Sequence, residues 1–425
     1  MESLSRIDGS LQLERVALER IAGEFGTPVY VYSRAAIERA YGEFADAARG
    51  RRVTICYALK ANSNLSVIRL LADLGAGFDI VSAGELERVI AAGGDPTRVV
   101  FSGVGKQAAE MRRALEVGVR CFNVESESEL RRLDAVAADA GTVAPVSLRV
   151  NPDVDAGTHP YISTGLRQNK FGIAHASAID AYRLAASLPH LRVDGIDCHI
   201  GSQITEIAPF LAALDRVLEL VDALRAEGIA LRHIDLGGGL GIRYRDESPP
   251  PRDAMMRALF ERIERWSAGA APPELMFEFG RSLVGNAGLL LTRVEYLKRN
   301  LERRFAIVDA AMNDLLRPTL YDAYHDIVPV RMRAAPAHDY DVVGPVCETG
   351  DWLGRQRRLA IAEGDLLAIL SAGAYGMVMA SNYNTRVRPA EVLVDGDTCQ
   401  LIRERERIGE LFAHERVVTR RGSGR

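Results

Sequence analysis

Several things are scarce in this chain, and each scarcity excludes something. Of 425 residues only five are cysteine: Cys56, Cys121, Cys198, Cys347 and Cys399. They are odd in number and widely spaced, with no CxxC pair, so neither a disulfide framework nor a zinc site is indicated. Reduced thiols suit a cytoplasmic setting. Basic excess is also lacking. The formal net charge is −4, which leaves no surplus cation to neutralise phosphates and argues against a nucleic-acid partner. The Arg-rich stretches 298–304, 355–358 and 416–425 are short and read as solvated faces and a tail, of which the terminal RRGSGR is expected to be disordered. No run of about eighteen apolar residues occurs, so no membrane span is predicted. The first thirty residues carry charges throughout, which speaks against a secretory signal.

What remains is a globular composition, 48% hydrophobic and 26% charged, long enough for two domains. Segment 53–62, VTICYALKAN, opens as a β-branched apolar run and ends in Lys60 before a polar turn. This pattern predicts a buried strand that delivers one amine at its C-terminal end. A lysine there either snorkels to water or reacts, because an ammonium near a core loses solvation. The second route is condensation with an aldehyde to a Schiff base.

Around this stretch, short β runs alternate with amphipathic helical runs. Strands are predicted at 53–59, 78–82, 98–102, 121–124, 146–151, 193–200, 233–236 and 275–279, with a helix capped by Ser33 before the first and one between each pair. Such alternation implies parallel strands joined by right-handed crossovers. Eight units over 33–281 fit a (β/α)8 barrel of about 250 residues. No GxGxxG follows the first strand, which disfavours an open dinucleotide-binding sheet. Beyond Arg281 the rhythm changes to strands at 289–298, 305–310, 327–331, 341–346, 366–370 and 392–394, separated by turns. The expected architecture is therefore a barrel over 33–281 and an all-β domain over 282–425, joined by 1–32.

In such barrels the chemistry sits at the C-terminal ends of the strands. Those ends supply Lys60, Asp79, Ser102, Glu125, Arg149 with Asn151, His199 with Ser202, Gly237-Gly238-Gly239, and Glu278 with Arg281. A glycine run after the seventh strand lets backbone N–H groups approach a phosphate, although glycine turns are common without one. Glu278 could hold a ring nitrogen protonated or simply pair with Arg281. His199 could stack on a flat ring or be a satisfied core histidine.

YALKAN, HPYISTGLRQNKFGI (159–173), HIGSQ, DLGGGLGI, EFGRSLVGNAG, DAAMNDLLRPTLYDAYH, GPVCETGDWL, GAYG and SNYNTRVRPAEVL occur in order over nearly the whole chain. On these motifs the chain resembles the alanine-racemase-fold, pyridoxal 5'-phosphate (PLP) decarboxylases, and within them the diaminopimelate decarboxylase family. The resemblance implies PLP held as a covalent aldimine on Lys60, with His199 on the ring and Glu278 at the ring nitrogen. It implies that Asp79, Ser202, Gly238, Gly239, Gly280, Arg281 and Tyr375 complete the cofactor site. It implies that Arg281, Arg317, Tyr321, Tyr375 and Glu348 hold the substrate, with Cys347 as proton donor, and that Cys347 and Glu348 reach the site from the other subunit of a homodimer. The activity implied is decarboxylation of meso-2,6-diaminopimelate to L-lysine. The alternative within the fold is a decarboxylase for ornithine, arginine or a carrier-bound glutamyl group. Phe279 departs from the family pattern, which usually has proline there.

Overall fold

The computed structural model describes residues 3–155 and 169–418. The barrel strands are β1 (Val53–Ala58), β2 (Gly77–Ile80), β3 (Val99–Phe101), β4 (Cys121–Val124), β5 (Ala144–Asn151), β6 (Leu191–Asp197), β7 (His233–Asp235) and β8 (Glu274–Phe279). Each pairs in parallel with the next, and β8 pairs back onto β1 through Phe277–Ile55 and Glu278–Cys56, so the sheet closes. The predicted barrel is the observed one. Most of the motif 159–173 lies outside the described residues, as does the end of the predicted tail.

The closure follows from side-chain alternation. On β8, Glu278 points into the barrel while its neighbours Phe277 and Phe279 point out, because successive residues face opposite sides of a strand. Phe279 stacks on Phe44 of the helix α1 (Arg34–Ala47), centroids 3.9 Å apart, and on Phe277 at 5.5 Å. It is buried at the barrel–helix boundary. The departure from proline therefore falls in the packing layer outside the sheet. Burying a side chain of this size stabilises the layer by roughly 1.5–3 kcal/mol. Inside the barrel lies a small apolar cluster of Cys56, Val100, Cys121 and Met276.

Ser33 caps α1 as expected, its Oγ accepting the Ala36 N–H at 3.1 Å; such a cap contributes about 1 kcal/mol. Ser33 also ends the strand Val29–Ser33, which belongs to the second domain. That strand lies between β9 (Gly288–Arg299), antiparallel to it, and β10 (Ala390–Asp395), parallel to it. Residues 29–33 thus pair with the β-rich domain. Two strands there, Trp352–Leu359 and Thr398–Arg403, were not predicted, nor was the N-terminal meander Leu4–Ile7, Ser10–Leu13 and Val16–Ala17. Among the described residues no helix is long and apolar enough to cross a membrane.

Candidate active site

The two domains meet at the loop that follows β1. Lys60 sits in a single 3-10 turn, Leu59–Ala61, directly after the strand. Its neighbours are stitched to the β domain. Ala61 O accepts the Tyr375 N–H at 2.7 Å, and the buried Asn62 donates to Gly373 O at 3.2 Å. Tyr375 adopts a positive φ of 55°, a region that costs a non-glycine residue about 1 kcal/mol or more. That conformation brings its ring under the Arg281 guanidinium, 4.7 Å away.

Lys60 Nζ lies 2.7 Å from Asp79 Oδ2, and Asp79 is buried at the end of β2. Burial works against the ammonium, but Asp79, then Glu278 and Tyr375, more than offset it and hold the amine protonated well above its ordinary range. Below the lysine is a floor of acids. Carboxylate oxygens of Asp197, Asp235 and Glu278 lie within 4.8 Å of one another, all buried. Burial, then Asp79, Asp235 and Asp197, drives Glu278 far above the usual carboxylate range. Its Oε1 accepts hydrogen bonds from Asn123 Nδ2 at 3.2 Å and Ser102 Oγ at 3.3 Å. One oxygen each of Asp79, Asp197 and Asp235 is buried without a partner. Arg149 is the fixed counter-charge, 3.2 Å from Glu125 and 3.9 Å from Asp197. Such a floor favours protons or a cationic group placed against it.

β6 ends at Asp197, two residues earlier than His199, so His199 and Ser202 stand in the loop above the barrel rather than on the strand. His199 Nδ1 accepts the Gly238 N–H at 3.2 Å. Burial, then Arg149 and Lys60, holds this imidazole neutral, far below its ordinary range. The glycine turn after β7 is tight for a physical reason. Gly237 and Gly239 have φ of +62° and +102°, and a Cβ on Gly238 would collide with the Glu278 carbonyl oxygen. Gly280 likewise packs on Ala61 and Ala58.

On the other side of the rim, two guanidiniums converge. Arg281 donates to Tyr244 Oη at 2.6 Å and to Ser202 Oγ at 3.0 Å. It does not pair with Glu278. Arg317 donates to His325 Nε2 at 2.9 Å and lies 4.6 Å from the centre of the Tyr244 ring. Both arginines are 6% exposed, and among the described residues neither has a carboxylate partner. A buried guanidinium without a counter-ion is costly unless an anion arrives. Arg317 and Tyr321 bound a one-turn helix, Arg317–Tyr321. Pro318 does not prevent it, because the first helical turn has N–H groups with no intrahelical partner to lose.

Cys347 and Glu348 are not in this cluster. They occupy an exposed loop of the β domain. Cys347 N–H donates to Asn384 Oδ1 at 2.8 Å, and Glu348 lies beside Tyr383 and Gly350. The buried Asp351 ties this loop to the Arg317 segment, accepting from Val346 N at 2.8 Å and Met312 N at 2.6 Å. Sequence reasoning brought most rim residues together but missed Tyr244, His325, Asn123 and Asp197. Asp197 had a signal, an acid closing an apolar strand. Tyr244 had none, a lone tyrosine in a polar segment, and His325 closes the motif DAAMNDLLRPTLYDAYH with nothing there to mark it as the partner of Arg317.

A lysine over an acid floor, a neutral imidazole, a glycine turn and two uncompensated arginines offer the groups that a flat cationic ring carrying an anion needs. The family described as pyridoxal-dependent decarboxylase, pyridoxal binding domain, matches residues 34–285. Diaminopimelate decarboxylase of Pseudomonas aeruginosa is 62% identical over 418 residues, 98% of this chain and 100% of the relative. That of Vibrio cholerae is 59% identical over 411 residues, 97% of this chain and 98% of the relative. Among solved structures, diaminopimelate decarboxylase from M. jannaschii in co-complex with L-lysine aligns with TM-score 0.94 at 38% identity, covering 98% of each chain. The Helicobacter pylori diaminopimelate decarboxylase complexed with L-lysine aligns with TM-score 0.89 at 41% identity, covering 94% of this chain and 99% of that one. The chain belongs to the pyridoxal-dependent decarboxylases and, within them, to the diaminopimelate decarboxylase family.

Proposed function

We propose that the protein decarboxylates meso-2,6-diaminopimelate to L-lysine and carbon dioxide, in the cytoplasm, as a homodimer. The observation that carries this reading is the pair of buried arginines, Arg281 and Arg317, that have no carboxylate partner among the described residues and face one pocket wall, Tyr244. One guanidinium suits a cofactor phosphate and the other the carboxylate at the uncleaved end of the substrate, since a guanidinium binds oxyanions through paired N–H donors.

The residues present fit the cofactor. Lys60 would attach it covalently, and Ser202, Gly238, Gly239, Gly280, Arg281 and Tyr375 would receive its phosphate. The crowded glycine turn supports this, because only a residue without Cβ lets backbone N–H groups approach so closely. When bound, PLP supplies an electron sink for the carbon–carbon bond that breaks. Glu278 would keep a proton at the ring nitrogen. The unpartnered oxygens of Asp79, Asp197 and Asp235 support a cationic ring against that floor. The uncharged His199 would pack on the ring face. Arg317 and Tyr321 bind the distal carboxylate and fix which end of the substrate reacts.

Cys347 Sγ–H gives a proton to the carbon that has lost carbon dioxide, and Glu348 takes the distal ammonium. Both are exposed in the single chain and contact other parts of the β domain, which supports their acting in the site of a second copy. The division into 33–281 as the cofactor barrel and 1–32 with 282–425 as the domain that completes site and dimer is part of this reading. Incubation of the cofactor-loaded protein with meso-diaminopimelate tests it: carbon dioxide and L-lysine are expected in equal amounts, and absence of lysine overturns it.

A further inference from the structure

His325 is buried beside Arg317, and its two nitrogens have unequal partners. Nδ1 lies 2.8 Å from the Leu370 carbonyl oxygen. A carbonyl only accepts, so Nδ1 carries the hydrogen. Nε2 then presents a lone pair to Arg317 Nη1 at 2.9 Å. The tautomer is fixed by the fold. An imidazolium would set an N–H against the guanidinium N–H.

The charges around the ring keep it neutral. Burial, then Arg317, pulls His325 down to about 3, with Arg281 and Arg357 adding to the effect and the Leu370 carbonyl opposing it. Arg357 also donates to the His325 carbonyl at 3.0 Å, and the Tyr244 ring stands edge-on at 5.2 Å. Arg317 is thus steered from two sides, by His325 at one nitrogen and by Tyr244 under its plane, while its Nε keeps no partner. Neither support carries negative charge.

The choice of support matters. An aspartate or glutamate in the same place would aim the guanidinium equally well but would neutralise it. A substrate carboxylate would then compete with a permanent intramolecular one, and removing a buried ion pair's partner is costly. We propose that His325 is a positioning residue that sets selectivity for the distal carboxylate, aiming Arg317 through a fixed neutral tautomer while leaving its positive charge for the ligand. This rests on the reading of Arg317 given above.

The test is calorimetric titration of the cofactor-loaded protein with L-lysine, which keeps the distal carboxylate. The variants are His325→Leu, His325→Gln, His325→Glu, Arg317→Met and the Leu/Met double. Retained cofactor absorbance and Tm check folding. Arg317→Met and His325→Leu should each weaken L-lysine by about tenfold or more. The double should be no weaker than Arg317→Met alone, the mark of two residues acting through one contact. His325→Gln, which can both accept and donate, should stay within about threefold. His325→Glu should bind as poorly as His325→Leu although it offers an acceptor, because it cancels the charge. Wild-type affinity in His325→Glu would overturn the proposal, as would wild-type affinity in His325→Leu while Arg317→Met loses binding. If His325→Leu does not fold, the Gln and Glu variants decide. Unchanged binding in Arg317→Met would instead sink the reading of the distal site, and this inference with it.

Discussion

Lys60 Nζ and Asp79 Oδ2 are 2.7 Å apart, and the aspartate is buried while the lysine side chain keeps 36% of its surface exposed. The acid is enclosed and the amine stays open to solvent. Asp79 therefore acts as a mooring that holds the amine at the rim without enclosing it. Lys60→Ala should abolish covalent retention of the cofactor, read as loss of its absorbance after dialysis, and should cut turnover by several orders of magnitude. Retained absorbance in this variant would contradict the role given to Lys60.

Asp235 links the acid floor to pH. Burial pushes it from its ordinary 3.8 to about 7, the Gly237 N–H opposes this, and Asp79 adds to it. Its neutral form is the one the fold favours. That stabilisation is complete below about pH 4 and is lost as pH rises through about 7. In cofactor-free protein, Asp235→Asn should gain Tm relative to wild type between about pH 5 and about pH 8, by about 3 °C or more. A difference that stays flat across this range would show that Asp235 carries no such proton.

Gly238 is squeezed between the turn and β8. Gly238→Ala should force its Cβ against the Glu278 carbonyl, costing roughly 1–3 kcal/mol of stability. Cofactor affinity should fall by about tenfold or more, because the same shift moves the backbone donors and the strand that carries Glu278. Titration of the apo-protein with PLP reads the affinity, and a thermal scan reads the stability.

Cys347 belongs to a different class of test. Cys347→Ala should lower turnover far more than cofactor binding; equal turnover would remove it as the acid. A stronger experiment mixes Lys60→Ala with Cys347→Ala protein. If each site takes Lys60 from one chain and Cys347 from its partner, random exchange into mixed dimers should restore about a quarter of wild-type activity. No recovery, with exchange demonstrated, would place both residues in one chain.

The barrel was legible because its strands are short, apolar and separated by amphipathic helices, the first with a clear cap at Ser33. Its rim was legible because topology alone gathers strand ends. The missed strand Trp352–Leu359 carries Arg355, Gln356, Arg357 and Arg358 at the sheet edge, where a polar strand has no apolar period to betray it. The support of Arg317 was illegible for another reason. His325 and Tyr244 are far apart in sequence, and only the packing of the two domains brings their rings to 5.2 Å. Phe279 stands out in the sequence only as a departure from the family's proline, and alternation along β8 sends it into the layer of Phe44.

The most direct measurement is a side-by-side comparison of carbon dioxide release from meso-diaminopimelate, LL-diaminopimelate, ornithine and arginine by the cofactor-loaded protein. The account predicts release from the meso isomer, with L-lysine formed, and kcat/KM for the other three lower by at least about a hundredfold, since they lack either the reacting centre's configuration or the distal carboxylate. Preferred release from ornithine or arginine would keep the barrel and the cofactor but contradict the assignment of Arg317 and Tyr321 to a distal carboxylate.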